Sequence, residues 1–160
     1  MSESSDPADD PPGSAGSRDP PEDVIVERAT PDDRLDVLRI LDAAMLETDA
    51  ATVDDRIAAG DALVARSTRT GGVVGALVAA RPDPDRLHVD GVAVRRARRG
   101  GGIGSALLAA AVDRGRSDSA IETVTAAFDD DLVAFYEAIG FVVTGDTTDA
   151  RRHGRIRVGD

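Results

Sequence analysis

Arg99-Gly100-Gly101-Gly102-Ile103-Gly104 follows the apolar run Val92-Ala93-Val94 and opens a helical pattern. In that pattern Ile103, Leu107 and Ala110 share one face, with Ala106 beside them. Residues 87–94 read as a strand, so the local order is strand, glycine loop, helix. A helix start leaves its first amide N–H groups without partners, and the helix dipole makes that end favourable for anions. Phosphate oxygens occupy such an end when no side chain blocks them. Gly100, Gly101, Gly102 and Gly104 remove the Cβ atoms that would stand in the way and permit turns with φ > 0. A plain glycine hinge between strand and helix is the competing reading.

Other glycine-loop motifs fail on spacing. A dinucleotide fingerprint needs a third glycine three residues after the second, where this chain has Ser105 or Leu107. A P-loop needs Lys before Ser or Thr, and the chain contains no Lys. A second stretch lies one strand and one turn downstream: Phe135-Tyr136-Glu137-Ala138-Ile139-Gly140-Phe141. Leu132, Phe135, Tyr136 and Ile139 make an apolar helical face, Gly140 suits a helix C′ position, and Phe141 packs back across it. Read alone, Tyr136 is a core aromatic with a hydrogen-bonded hydroxyl. It is also the one Tyr in a chain with 2% aromatics.

In this order the two stretches resemble the acyl-CoA signature of the GNAT N-acetyltransferase family, whose pyrophosphate loop reads V-x-V-x-P-x-x-R-G-x-G-x-G. Here Val92, Val94, Arg99, Gly100, Gly102 and Gly104 match it, while Arg96 stands where the family often has Pro. The resemblance extends from residue 24 to the C-terminus. It implies an α+β protein with the acyl-CoA N-acyltransferase fold: a mostly antiparallel mixed sheet of about six or seven strands flanked by about four helices. It implies acetyl-CoA as cosubstrate, with the amides from Arg99 through Gly100, Gly101, Gly102, Ile103 and Gly104 to Ser105 around the diphosphate. It further implies that the coenzyme lies in a splay between the parallel strands of Val92 and Val124. A backbone N–H near Val92, Ala93 or Val94 would polarise the thioester carbonyl. Tyr136 stands where the family carries the proton donor to the leaving sulfur. Asp129 stands where the family usually has Asn, which hydrogen-bonds the pantetheine; an ionised Asp accepts but does not donate. Asp129-Asp130-Asp131 is equally an acidic helix start.

The implied reaction transfers an acetyl group to a primary amine of a small-molecule or peptide acceptor. An amine with a pKa near ~10.4 is almost wholly protonated at neutral pH, so a base helps. Asp90 and His88 fall on one side of their strand by alternation, and Asp90 is the preferred candidate. Both also read as strand residues facing solvent. The acceptor would lie between residues 43–60 and 145–157. Met45, Glu47, Asp49, Asp54 and Asp55 offer acids, and Arg151, Arg152, His153, Arg155 and Arg157 offer cations for a carboxylate-bearing acceptor or for the acidic surface. A non-catalytic acyl-CoA-binding module is the reading from another class; the presence of Tyr136 speaks against it.

The remaining composition sets limits. At 160 residues one domain is expected, with residues 1–22 a disordered Ser-, Asp- and Pro-rich tail and residues 23–160 the folded domain. There are 30 acidic and 19 basic residues, the latter all Arg, for a formal charge of -11. Such a chain is expected of a salt-adapted, halophilic protein, although GC-rich coding yields the same bias. It argues against nucleic acid as partner, since phosphate backbones need cationic surface. Arg95, Arg96, Arg98 and Arg99 form the one dense basic cluster, suited to coenzyme phosphates or to solvent. With no Cys and with His88 and His153 far apart, no metal site is expected. No membrane-length apolar run or signal-peptide pattern is present, which makes cytoplasmic localisation the expectation. A second copy of the chain is a candidate partner. The element order is strand, two helices, three strands, helix, strand, helix, two strands, with an edge strand over 155–158.

Overall fold

Val24–Arg28 forms the first strand (β1). The computed structural model describes residues 20–44, 46, 48–144 and 151–159. The expected tail therefore lies outside the described residues except for 20–22, as do Met45, Glu47 and residues 145–150. After β1, Thr30 starts a 3-10 turn at Pro31–Asp33, its N–H bonded to Asp33 Oδ2 at 2.9 Å. The turn runs into α1, Arg34–Ala43. In sequence, Leu35, Leu38, Leu41 and Met45 read as an apolar stripe, but the buried face is rotated from it. Val37, Ile40 and Leu41, an i, i+3, i+4 set, are the buried residues, while Leu35 is 53% exposed. A short second helix reads from the sequence over about 53–59; α2 is Ala50–Ala59, three residues longer at its start. Its true cap is Asp49, which accepts the Thr52 N–H at 2.8 Å. Ala50 and Ala51 carry no periodic signal that would have marked that first turn.

Three antiparallel strands follow: β2 Ala62–Ser67, β3 Val73–Asp83 and β4 Arg86–Val94. Arg81-Pro82-Asp83-Pro84-Asp85 reads as a turn in sequence, but β3 runs on to Asp83, where Asp83 and Arg86 pair at 3.1 Å across the tip. α3 is Ile103–Ser117, β5 Thr123–Asp129, α4 Val133–Ile139, β6 Val142–Thr144 and β7 Arg151–Arg157. The sheet order is β1-β2-β3-β4-β5-β7-β6, with β4–β5 the parallel pair and every other pair antiparallel. The last strand, expected at an edge over 155–158, lies instead inside the sheet between β5 and β6, leaving β6 as the edge. Gly154 permits that insertion. A Cβ there would meet Phe128 Cε2 at 3.2 Å and Phe141 Cβ at 3.4 Å.

The core has two layers, one on each face of the sheet. Leu87, Val89, Leu107, Leu108, Val124, Phe128 and Tyr136 belong to the layer under α3 and α4. Val37, Leu41, Val53, Ile57, Val64 and Val78 belong to the layer under α1 and α2. A buried ionic knot ties the layers together at one end of the sheet. Asp61, 2% exposed, accepts from Arg81 Nε at 2.9 Å and from Arg114 Nε at 2.8 Å. Arg114 also donates to the Ala59 carbonyl at 3.2 Å, so the C-terminal half of α3 is anchored to the end of α2. Asp61→Ala leaves two guanidinium groups without their shared anion and should cost about 3–5 kcal/mol in denaturant-unfolding free energy. A loss under about 1 kcal/mol would show that the knot is not an anchor.

Candidate active site

β4 and β5 are hydrogen-bonded only from Arg86/Thr123 to Val89/Ala126. Beyond that point β4 stays with β3 as far as Val94, while β5 follows β7 as far as Asp129. A gap opens between them. Its cause is an extra residue in β4: Val78 faces Gly91 and Ala79 faces Val89, so Asp90 bulges out of the ladder. A one-residue insertion inverts side-chain parity. Before the bulge Leu87 and Val89 face α3; after it Val92 and Val94 pack on that layer and Ala93 turns to the opposite one.

The backbone of β4 presents polar groups to the gap. Arg95 donates its N–H to Val74 O on β3 at 2.8 Å. Strand alternation then turns the N–H groups of Val92 and Val94 toward the gap and that of Ala93 toward β3. The Val94 carbonyl accepts from Arg99 Nε at 3.2 Å, consistent with that orientation.

Where the gap widens, the glycine loop bends under the N-terminus of α3. Gly100 and Gly102 have φ of +86° and +88°, values that disfavour any side chain. A Cβ on either would meet nothing within 4 Å, so both turn a bare backbone toward open space. Gly104 is different: its Cβ position lies 3.6 Å from Phe135 Cζ, an ordinary contact. The resulting cleft, about 1120 Å³, is lined by Val92, Ala93 and Val94, by residues 98–105, by Asp129, and by Asp131, Leu132 and Phe135. It therefore brings together Val92, Ala93, Val94, Arg99, Gly100, Gly101, Gly102, Ile103, Gly104, Ser105 and Asp129, the positions the sequence singles out for coenzyme contact.

Other singled-out residues lie elsewhere. Tyr136 is 3% exposed and sits one layer behind the cleft. Its ring stacks on Phe128 with centroids 3.9 Å apart and meets the edges of Phe135 and Phe141 at 5.2 and 5.4 Å. The helical face expected from Leu132 to Ile139 divides accordingly. Leu132 and Phe135 line the cleft, while Tyr136 and Ile139 enter the core. Asp90 is exposed at the bulge, 3.6 Å from Arg56 Nε, and borders a second hollow of about 340 Å³ with Leu46, Thr48, Asp49 and Thr52. Asp54 is taken up by Arg34 at 2.6 Å. In the basic cluster, Arg98 and Arg99 line the cleft and Arg95 and Arg96 do not. Pro20, Pro21 and Glu22 also line the cleft, and Asp23 holds Arg98 Nη2 at 3.1 and 3.2 Å. Nothing in the local sequence marks this arm as part of a site. Among the described residues no group of three or more His, Cys, Asp or Glu could hold a metal ion, and no helix is long and apolar enough to cross a membrane.

His88 is half-buried on the face opposite α3, its Nδ1 2.8 Å from Thr125 Oγ1. Burial lowers its pKa below the ordinary 6.5; Asp90 pulls it up, and Arg86 and His153 push it further down.

The chain matches the model of the acetyltransferase (GNAT) family over residues 32–141. No curated protein matches it. Among solved structures, Ard1 from Thermoplasma volcanium is similar with a TM-score of 0.71 at 22% identity, over 85% of this chain and 98% of that one. N-acetylglutamate synthase from Neisseria gonorrhoeae, complexed with coenzyme A and N-acetyl-glutamate, has a TM-score of 0.69 at 16% identity, over 84% of this chain and 35% of that one. Rv2747 from Mycobacterium tuberculosis, in complex with CoA, has a TM-score of 0.68 at 23% identity, over 78% and 75%. At these identities the structural likeness speaks for the fold.

The site makes one prediction that needs no ligand. Because the folded state disfavours His88 protonation, the unfolded chain binds the extra proton first. The stability contributed by neutral His88 is intact above the unfolded pKa of about 6.5 and is lost as pH falls below it. An NMR titration of the His88 imidazole should give a midpoint below 6.5; a midpoint at or above 6.5 contradicts the burial argument.

Proposed function

The chain belongs to the acetyltransferase (GNAT) family, and we propose that it moves an acetyl group from acetyl-CoA to a primary amine of a small-molecule or peptide acceptor by direct attack while both are bound. The observation that carries this reading is the joining of the β4–β5 gap to the glycine loop in one cleft. The fit to the coenzyme rests on two features. The bare αL backbone at Gly100 and Gly102 faces open space, and the first-turn amides of α3 border the same cleft. The coenzyme complexes of the gonococcal and mycobacterial proteins, built on the same fold, support the choice of CoA.

Bound acetyl-CoA supplies a thioester whose carbonyl carbon accepts the amine. In the transfer an N–C bond forms and the C–S bond breaks; the amine gives up a proton and the sulfur gains one. The residues of this chain divide that work. Amides of Ile103, Gly104 and Ser105, with the glycine loop before them, hold the diphosphate. Arg99 adds local positive charge, while Arg98 shares its charge with Asp23. The Val92 or Val94 N–H, fixed in the gap, donates to the thioester oxygen, a preorganised dipole that needs no rearrangement as charge develops. Asp90, at the bulge and open to the second hollow, attracts the incoming ammonium and takes its proton. Tyr136 delivers a proton to the departing sulfur. Its ring is stacked on Phe128 of β5, the strand that borders the gap, one layer behind the residues that line the cleft. Asp129 lines the pantetheine side as an acceptor only. We place this activity in the cytoplasm of a salt-adapted cell, a setting that the Lys-free, acidic composition supports.

Tyr136→Phe keeps the ring packing and removes the proton. With acetyl-CoA and an accepted amine, kcat should fall by roughly 10²-fold or more while CoA affinity stays within about twofold. An unchanged kcat would take Tyr136 out of the step.

A further inference from the structure

Beside the stretch of β4 that α1 packs on, β5 and β7 carry a polar face that holds none of the α1–α2 core layer among the described residues. Strand parity identifies it. Val124, Ala126 and Phe128 face the α3–α4 core, as do Gly154 and Ile156 of β7. Thr123, Thr125 and Ala127 of β5 and His153, Arg155 and Arg157 of β7 therefore face the other way, joined there by His88 of β4 through its contact with Thr125. The β5 residues of this face are half-exposed, and His153, Arg155 and Arg157 are exposed. Thr125 stands directly opposite Arg155, and Thr123 opposite Arg157.

The cations of this patch divide into engaged and free. Arg86 is held by Asp83 at 3.1 Å and donates to Thr125 Oγ1 at 3.3 Å. Arg152, on the opposite face, pairs with Asp130 at 2.7 Å. Neither Arg155 nor Arg157 has a carboxylate within ion-pair distance among the described residues, although the chain carries 30 acids against 19 basic residues. Their position matters more than their number. The β4–β5 pairing ends at Val89/Ala126, one residue beyond the row His88–Thr125–Arg155. Arg155 thus stands beside the apex of the gap, two strand spacings, about 10 Å, from β4. Asp90 lies one residue beyond the apex on β4, about two residues further along the strands than Arg155, and opens to the same side, where its neighbours are Leu46, Thr48 and Arg56.

From this we propose that the acceptor carries a carboxylate beside its amine, as an amino acid does, and that Arg155, backed by Arg157, binds that carboxylate while the amine is directed across the apex toward Asp90. The proposal rests on the acetyl-transfer reading for its use, but not for its binding geometry. An exposed guanidinium fork matches a carboxylate in two parallel hydrogen bonds, whereas a diamine would be repelled from the same spot. Across the apex Asp90, shared with Arg56 at 3.6 Å, stands on β4 and Arg155 on β7. A molecule with ammonium and carboxylate a few bonds apart matches that polarity.

The test separates binding from turnover. The chain has two histidines, His88 and His153, and both lie on this face, so their imidazole NMR signals report occupancy without any chemistry. Glycine, L-aspartate and L-glutamate are titrated into the full-length protein, with butylamine and 1,4-diaminobutane as carboxylate-free probes. At least one amino acid should shift the imidazole signals saturably, the two amines should not, and the shift should vanish in the Arg155→Ala, Arg157→Ala double variant. In acetyl-transfer assays, KM for that amino acid should rise at least tenfold in the double variant, while KM for acetyl-CoA stays within twofold. Both side chains are exposed, so the variant retains its core. No shift with any amino acid, a shift that survives in the double variant, or better acetylation of 1,4-diaminobutane than of the amino acids overturns the proposal. Arginine-dependent binding without acetylated product upholds the carboxylate site and instead overturns the acetyl-transfer reading.

Discussion

The site depends on the separation of two neighbouring parallel strands. β4 and β5 share hydrogen bonds for four residue pairs, and then each turns to its other neighbour. The bulge at Asp90 makes this possible. It keeps β4 bonded to β3 while increasing the local twist away from β5. The insertion of β7 beside β5 completes the separation by giving β5 a full partner on its far side, up to Asp129. Polar groups at Val92 and Val94 are left facing a gap, a costly state for buried backbone unless water or a ligand meets them. The same bulge sends Asp90 and His88 toward one face and Val92 and Val94 toward the other. One inserted residue thereby separates the proposed acceptor side from the proposed coenzyme side.

Electrostatics then decides how an acidic chain holds a polyanion. With a formal charge of -11, the long-range field opposes a phosphate ligand, and the cleft itself contains Glu22, Asp129 and Asp131. Arg98 is already compensated by Asp23. What remains is short-ranged: amides at the start of α3 and one guanidinium, Arg99, tied to the Val94 carbonyl. In molar salt, where the screening length is about 3 Å, the unfavourable field is removed and the direct contacts keep most of their strength. The composition and the binding mode are therefore compatible in concentrated salt and work against one another in dilute buffer.

Much of this was legible in the sequence, because the deciding features are local. Glycines at 100 and 102 announce a loop with positive φ, the Ile103–Leu107 periodicity announces the helix it caps, and Gly140 ends α4 as expected, with φ of +117°. The element order followed from such signals, and the mixed, mostly antiparallel sheet from the family resemblance. What was not legible depends on tertiary contacts. The place of β7 inside the sheet is set by Gly154 against Phe128, two residues far apart in sequence. The face of α1 that is buried is the Val37–Ile40–Leu41 set, chosen over the competing Leu35–Leu38–Leu41 spacing by its packing on the sheet, and the Pro20–Asp23 arm is held by an ion pair to Arg98. In the site, the positions chosen by motif fall on one cleft. Tyr136 lies behind it, in an aromatic stack that only the packing of α4 on β5 discloses.

The central claim is that main-chain amides between Arg99 and Ser105 bind the diphosphate of coenzyme A. Calorimetric titration of CoA into the folded protein at molar salt tests it most directly, with Gly102→Val and Gly71→Val beside the wild type. Both glycines have positive φ, +88° and +77°, but Gly71 lies in the β2–β3 turn, away from the cleft. The account predicts a single saturable site in the wild type, an affinity at least about tenfold weaker in Gly102→Val, and wild-type affinity in Gly71→Val. Absence of binding to the folded wild type, or equal affinity in Gly102→Val, would contradict it.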